Sequence, residues 1–404
     1  MPTIAVLGTL DTKGIEHAFV ADRICEQGHK TLLIDVGTGG PPQIRPDISR
    51  EDVAAAGRLD LTSLMARADR GECVTAMAAA APKLLERLCA EGRIDGVISL
   101  GGSGGTAIAS AAMRALPIGF PKLIVSTVAS GQTAHYVGTK DITMMPAIVD
   151  VCGLNRISRT IFCRAAGAIC GMVSVVAAAE SAKPVIVASM FGNTTKCVSA
   201  AVQILEDAGY EVLVFHATGT GGRTMESLIE SGMVAGVLDI TTTELADELV
   251  GGVLSAGPDR LNAAAHPGVP AIIVPGCLDM VNFGERRSVP AKFEGRNFVI
   301  HNPQITLMRT TPEECRELGE MLAQKINRYR SPATVLIPTR GISVISAEGG
   351  PFHDPAADAS LFDALTNSLN PDVKVISMDC EINAPEFARA CAAALLENIH
   401  AHTS

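Results

Sequence analysis

The sequence has no tryptophan and three tyrosines, and aromatic residues make up 3% of its 404 positions. That scarcity removes the stacked-ring platform on which single-stranded nucleic-acid binders hold bases. A basic face is missing as well: 43 acidic residues against 33 lysines and arginines leave a formal charge of −10, the wrong sign for a phosphate backbone. Nucleic acid is therefore not expected as a partner. No run approaches the roughly 18 strongly apolar residues of a membrane span. The richest stretch, residues 165–179, is short and dominated by Ala, Gly and Val, so no membrane association is expected. The start, Met1-Pro2-Thr3-Ile4, enters a strand-like run without a basic n-region, and no leader is expected. The eleven cysteines are odd in number and form no C-x-x-C pair, which reads as free thiols in a reducing, cytoplasmic compartment. H-E-x-x-H and G-x-S-x-G are absent, so no motif names a nucleophile.

What is present is aliphatic and glycine-rich: 47% hydrophobic residues and 38 glycines. At roughly 150 residues per domain the length suits two to three domains. Strand-like runs alternate with helical patterns, which implies an α/β fold with parallel sheets and right-handed crossovers. The pattern repeats. Thr3–Leu7, a Gly-Thr-Leu-Asp-Thr-Lys turn, a helix to Glu26 and a strand ending in Gly37-Thr38-Gly39-Gly40 are matched by Val185–Ser189, a Gly-Asn-Thr-Thr-Lys turn, a helix to Asp207 and a strand ending in Gly219-Thr220-Gly221-Gly222. Ile94–Ile98 and Pro121–Val125 find weaker counterparts at Val234–Leu238 and Pro270–Val274. Two Rossmann-like subdomains with helix-flanked parallel sheets, related by internal duplication, are expected over residues 1–182 and 183–404. The boundary falls at Ser181-Ala182-Lys183-Pro184. The first half carries an extra helical stretch, residues 47–88, between its second and third strands.

Ligands in an open parallel sheet bind beyond the carboxyl ends of the strands. Glycines there let backbone N–H groups approach a phosphate, and the following helix adds positive potential. In the first half this singles out Thr9, Asp11, Thr12 and Lys13, then Gly37 and Gly39. It also singles out Gly101-Gly102-Ser103-Gly104-Gly105-Thr106, and Thr127 and Gly131 after the fourth strand. Lys13 can supply a point charge, and Asp11 or Asp141 can hold Mg²⁺. The Gly101–Thr106 loop is similar to the Gly-Gly-Asp-Gly-Thr loop of nucleotide kinases, with Ser for Asp. It has no Walker A lysine, and the first turn lacks the dinucleotide fingerprint, which argues against NAD. His135 and Lys140 have surface readings as well as functional ones.

In the second half, Gly221, Gly222 and Arg223 suit an anionic substrate, since Arg offers a bidentate fork. Thr241-Thr242-Thr243-Glu244 reads as a capping box. Glu244, Asp247 and Glu248 share one helical face, either catalytic or metal-linked, or a solvated face that favours the helix N-terminus. Asp279, Asn282 and His301 complete the candidates, with Arg223, Glu244 and His301 as the catalytic ones. Thr311-Pro312-Glu313-Glu314 is a strong helix start.

These segments together resemble a largely uncharacterised bacterial and fungal family, related to the N-terminal ATP-binding domain of the plant protein that resists tomato mosaic virus. The resemblance is carried by the G-T-L-D-T-K-G, G-G-S-G-G-T and G-T-G-G-R-T-M-E runs and by Ser126–Gly131 and Asp141–Met145. Glu244–Arg260 with its Gly257-Pro258-Asp259-Arg260 end, Pro275–Phe283 and His301-Asn302-Pro303 through Thr311 complete it. It spans nearly the whole chain. It implies a two-subdomain α/β fold, a homodimer, and ATP binding with Mg²⁺. The plant relative's further barrel-like domain is not expected here, so no antiviral role is carried over. Three functions remain open. One is an ATP-dependent enzyme acting on a small anionic metabolite held between the subdomains. The second is a nucleotide-sensing dimer that binds a partner protein, and the third an ATP-independent isomerase or lyase.

Overall fold

The computed structural model describes residues 1–175, 183–266 and 268–403. The chain divides into two compact units, Met1–Ala179 and Glu180–Ser404. Ser181 and Ala182 of the expected boundary lie outside the described residues, as do residues 176–179 of the Ala/Gly/Val stretch. Among the described residues no helix is long and apolar enough to cross a membrane.

The first unit is built on β1 (Thr3–Gly8), β2 (Lys30–Asp35), β3 (Gly96–Gly101), β4 (Lys122–Ser126) and β5 (Thr143–Pro146). All pair in parallel, in the order β2-β1-β3-β4-β5. Their nearly unbroken aliphatic runs follow from burial on both faces. Alternate side chains go to opposite sides. Ala5, Leu7, Val97 and Ile124 pack on Met77, Leu84 and Ile108 of helices Arg70–Ala90 and Ser103–Arg114. Ile4, Val6, Ile98 and Val125 pack on Val20, Ile24, Phe162 and Ile169 of helices Leu10–Glu26 and Arg156–Ser174.

The second unit repeats the plan. Its parallel strands are β6 (Val185–Met190), β7 (Glu211–His216), β8 (Val234–Thr241), β9 (Ala271–Gly276), β13 (Ala333–Pro338) and β14 (Lys374–Met378). Between β9 and β13 lie β10 (Met280–Phe283), β11 (Phe298–Asn302) and β12 (Ile305–Arg309). The six-stranded order β14-β13-β9-β8-β6-β7 is the first unit's order read from the other edge, with one strand added. The antiparallel sheet β10-β12-β11 has no counterpart among the described residues of the first unit, and the sequence carries no signal for it. Helix Pro312–Ile326 starts as expected. Thr311 Oγ1 accepts from Glu314 N at 3.2 Å, and Glu314 Oε2 accepts from Thr311 N at 2.8 Å.

The end of β1 is fixed by a close approach. His17 is fully buried, and its Nδ1–H donates to the Lys13 carbonyl at 2.7 Å. Burial lowers its pKa, so the imidazole is neutral. A Cβ on Gly8 would stand 2.0 Å from His17 Nε2. Gly8→Ala should therefore cost about 1–3 kcal/mol by overpacking. Denaturant unfolding reads this directly, and an unchanged midpoint would contradict the packing.

Candidate functional site

The strand order reverses between β1 and β3. The helix after β1 and the helix after β3 leave the sheet toward opposite faces, so their first turns diverge and open a crevice. A cavity of about 790 Å³ occupies it. One side is polar. It is formed by Thr9, Asp11, Thr12 and Lys13 after β1, Thr38 and Gly39 after β2, Gly102, Ser103, Gly104 and Gly105 after β3, and Thr127 after β4. Helix Ser103–Arg114 begins here on Gly102, which has no capping side chain. Its first intrahelical bond runs from Thr106 N to Gly102 O at 2.9 Å. The amides of Ser103, Gly104 and Gly105 therefore precede the ladder and present donors and the positive helix end. The other side is aliphatic: Val36, Met65, Ala68, Val74 and Ile108, with Cys73.

Two cations line the cavity. The Lys13 ammonium donates to the Val151 carbonyl. Arg70 opens helix Arg70–Ala90 and makes no hydrogen bond or ion pair to any described residue. A Cβ on Gly104 would stand 3.9 Å from its Nη2 and 3.5 Å from Val74 Cγ2, so Gly104 faces the space between the cation and the apolar wall. Asp150, exposed and also without a partner among the described residues, closes one end.

Not every expected residue reaches this cavity. Gly37 does not, and Gly39, which lines it, is tied to Asp11: a Cβ on Gly37 would stand 2.5 Å from Asp11 Oδ1, and Gly39 N donates to Asp11 Oδ2 at 2.7 Å. Gly37 therefore stands behind that carboxylate, whose Oδ1 is buried with no hydrogen-bond partner among the described residues. Gly101 ends β3, and the buried hydroxyls of Thr106 and Ser126 bond each other at 2.6 Å. Gly131 closes a turn, donating to Val128 O at 3.2 Å. Asp141 does not join Asp11. It pairs with the Lys122 ammonium at 2.7 Å and accepts from Gly119 N at 2.8 Å. Among the described residues no group of three or more His, Cys, Asp or Glu side chains is placed to hold a metal ion.

The second unit's candidates are held differently. Glu244, fully buried, does not close a capping box; the helix starts on Thr243 with no side-chain cap. Its Oε1 instead accepts from Gly219 N at 2.7 Å and Gly222 N at 3.1 Å. Its Oε2 accepts from Arg260 Nε at 2.6 Å. Arg260 is itself buried, bidentate to Asp239 at 2.6 and 2.7 Å and bonded to Glu226 at 3.1 Å. An anion does sit on the Gly-Thr-Gly-Gly loop, but the protein supplies it. Of the two glycines expected to suit an anionic substrate, Gly222 has its amide already taken by Glu244. A Cβ on Gly222 would strike the Glu244 carboxylate, and one on Gly221 the His216 carbonyl. Arg223 is exposed and donates to Ser255 O at 3.1 Å. Glu248 is exposed and accepts from Ser255 Oγ. Asn282 is buried, donating to Asp247 Oδ2 at 2.7 Å. Asp279 is buried and accepts from Ser343 Oγ at 2.8 Å; burial, opposed by Arg309, pushes its pKa up to about 6. His301 is exposed on β11, so Arg223, Glu244 and His301 have three separate settings.

Residues 2–178 match the N-terminal domain, and residues 183–399 the C-terminal domain, of an uncharacterised protein family, UPF0261. The chain belongs to this family. A UPF0261 protein of Clostridium tetani is 50% identical over 395 residues, covering 97% of this chain and 98% of that one. The tomato ToMV resistance protein Tm-1 is 38% identical over 421 residues, covering 98% of this chain and 56% of the longer plant protein. Among solved structures, UDP-N-acetylglucosamine 2-epimerase from Rickettsia bellii is 14% identical over 69% of this chain and 82% of its own, with a TM-score of 0.23. A likeness that loose carries no argument.

In this UPF0261 chain five of the cavity residues that motif reading missed share one origin. Met65, Ala68, Arg70, Cys73 and Val74 all come from the helical stretch that lengthens the β2–β3 connection of the first unit. Its presence was legible in the sequence; its approach to the β3 loop was not. Asp150 lies beyond β5 in a connection with no motif.

Burial, opposed by hydrogen bonds from Asn282 and Leu254, pushes the pKa of Asp247 up to about 7 from an ordinary value of 3.8. A carboxyl whose folded pKa is raised makes the native state bind more protons than the unfolded one, so stability falls as pH rises. The unfolding free energy should decline between about pH 4 and pH 7. Asp247→Asn should flatten that decline, as read by urea unfolding at stepped pH; an unaltered slope would assign it to other groups.

Proposed function

We propose that the first unit binds a nucleoside triphosphate, ATP in the first instance, across the β1/β3 crevice. The observation that carries this is the juxtaposition in one cavity of an uncapped glycine-rich helix start, a cation, Arg70, without a partner among the described residues, and an aliphatic wall. The amides of Ser103, Gly104 and Gly105 and the Arg70 fork suit the phosphates. Met65, Val74 and Ile108 suit the base, which in a chain this poor in aromatics meets aliphatic side chains. Mg²⁺ arriving on the phosphates keeps most of its waters and needs one or two carboxylates. Asp11, with its Oδ1 unpaired among the described residues, is the candidate. The second unit supports this division of labour, because Glu244 already covers the glycine loop there.

Isothermal titration with ATP and Mg²⁺ tests the proposal, and saturation with no heat or displacement would overturn it. Gly104→Asp puts a carboxylate where the phosphates are assigned, in space that accepts a side chain, and should abolish binding with the fold intact. Arg70→Ala should weaken ATP about tenfold and AMP much less. Equal loss for both nucleotides would move Arg70 off the phosphates.

A further inference from the structure

A second cavity, of about 510 Å³, opens beside the first at the carboxyl ends of β4 and β5. The two share Thr127 and Asp150. From this boundary we infer that the second cavity is the acceptor subsite of a phosphotransferase, and that the acceptor is a small neutral polyol or aldose. The inference rests on the nucleotide assignment above, which supplies the phosphoryl donor.

The chemistry of the wall selects the acceptor. Ser126, Thr127 and Ser130 bring hydroxyls. Ser126 Oγ is committed to Thr106 Oγ1 at 2.6 Å and to Val128 N at 3.2 Å. Thr127 and Ser130 are exposed, with side-chain hydroxyls that bond to no described residue. Hydroxyls of this kind both donate and accept, which suits a hydroxylated partner. Among the described residues the wall contains no Lys, Arg or His, and its single charge is the Asp150 carboxylate. An anionic acceptor would meet repulsion there and no counter-ion. This turns the acceptor from the anionic metabolite expected on the sequence to a neutral one, and places it in the first unit.

The backbone of this wall is strained. Ile148 has φ +64°, a conformation that β-branched residues avoid. Val149 N donates to Ala147 O at 2.7 Å across it, while Ala147 N is anchored to Ser126 O at 3.0 Å. This tight turn leaves the Ile148 side chain 75% exposed, so burial of that side chain does not account for the conformation. What the turn does accomplish is to form the far side of the cavity and bring the chain back to Asp150. Strain of this kind gathers at functional sites.

The reaction follows from the shared boundary. A polyol hydroxyl oxygen attacks the γ-phosphorus of ATP bound in the first cavity, and an O–P bond forms. The bond from the γ-phosphorus to the β–γ bridging oxygen breaks, and ADP leaves with that electron pair. The hydroxyl proton passes to the Asp150 carboxylate, which has no competing partner among the described residues. Positioning of the two substrates supplies most of the rate.

The test incubates the full chain with ATP and Mg²⁺ and each of glycerol, erythritol, D-ribose, D-glucose and myo-inositol. Phosphate monoester is followed by ³¹P NMR and ADP by coupled assay, with ATP affinity measured separately by titration. At least one of the five should yield monoester and ADP in equal amounts. Ser130→Phe, at an exposed residue confined to the second cavity, should raise the KM for that polyol about tenfold or more while ATP affinity stays unchanged. Asp150→Asn should lower kcat roughly a hundredfold or more with the protein still folded by circular dichroism. ATP binding without monoester from any of the five overturns the acceptor assignment and leaves the nucleotide assignment standing. A polyol KM indifferent to Ser130→Phe also overturns it. Absence of ATP binding overturns both.

Discussion

The reversal of strand order next to the first strand of each unit is the constraint on which the rest depends. In a parallel sheet every helix must return the chain to the same edge, so all the strands point one way. Where the order turns back on itself, successive helices leave toward opposite faces and cannot cover the strand ends between them. The crevice is thus a product of topology, present before any side chain is chosen. The first unit leaves it open as a cavity between β1 and β3. The loop glycines, the helix start at Ser103 and the two cations acquire significance because they stand at its rim.

The second unit has the same order and therefore faces the same gap, and it fills the gap with charge. Arg260 is enclosed by Asp239, Glu244 and Glu226, and Glu244 lies on the amides of Gly219 and Gly222. A buried guanidinium is tolerable only because each face of its fork finds a carboxylate; removing one partner from such a set typically costs about 3–5 kcal/mol. The Gly-Thr-Gly-Gly motif receives a carboxylate in both units: Asp11 in the first, from the first turn of the helix after the first strand, and Glu244 in the second, from the first turn of the helix after the third. Glycine-rich loops approach anions closely, and here the anions are the protein's own. The open amides lie instead at the start of helix Ser103–Arg114.

The sequence was informative wherever a local pattern decides the outcome. Nearly unbroken aliphatic runs such as Thr3–Leu7 and Val185–Ser189 gave strands of the stated kind. The Thr311-Pro312 start gave its helix, because capping and proline geometry are local. The T-x-x-E pattern at Thr241–Glu244 did not give a cap. There a long-range ion pair with Arg260, sixteen residues on, outweighs the local bond. The antiparallel strands β10, β11 and β12 are not legible in the sequence, since short strands in an irregular connection carry little periodic signal.

The candidate site divides along the same line. Composition and motif spacing alone determined a two-unit, parallel α/β chain with glycine-rich strand ends, and they named Thr9–Lys13 and Gly102–Gly105, since hydrophobic period and turn chemistry are written within a few residues. Tertiary structure alone decided which glycines face open space and which face Asp11 or Glu244. It also decided that Asp141 belongs to Lys122, and that Arg70 and Asp150 stand at the rim with no partner among the described residues. Those outcomes depend on where a helix from one connection comes to rest against a loop from another. Such contacts are set by packing across the sheet, which no single segment of the sequence contains.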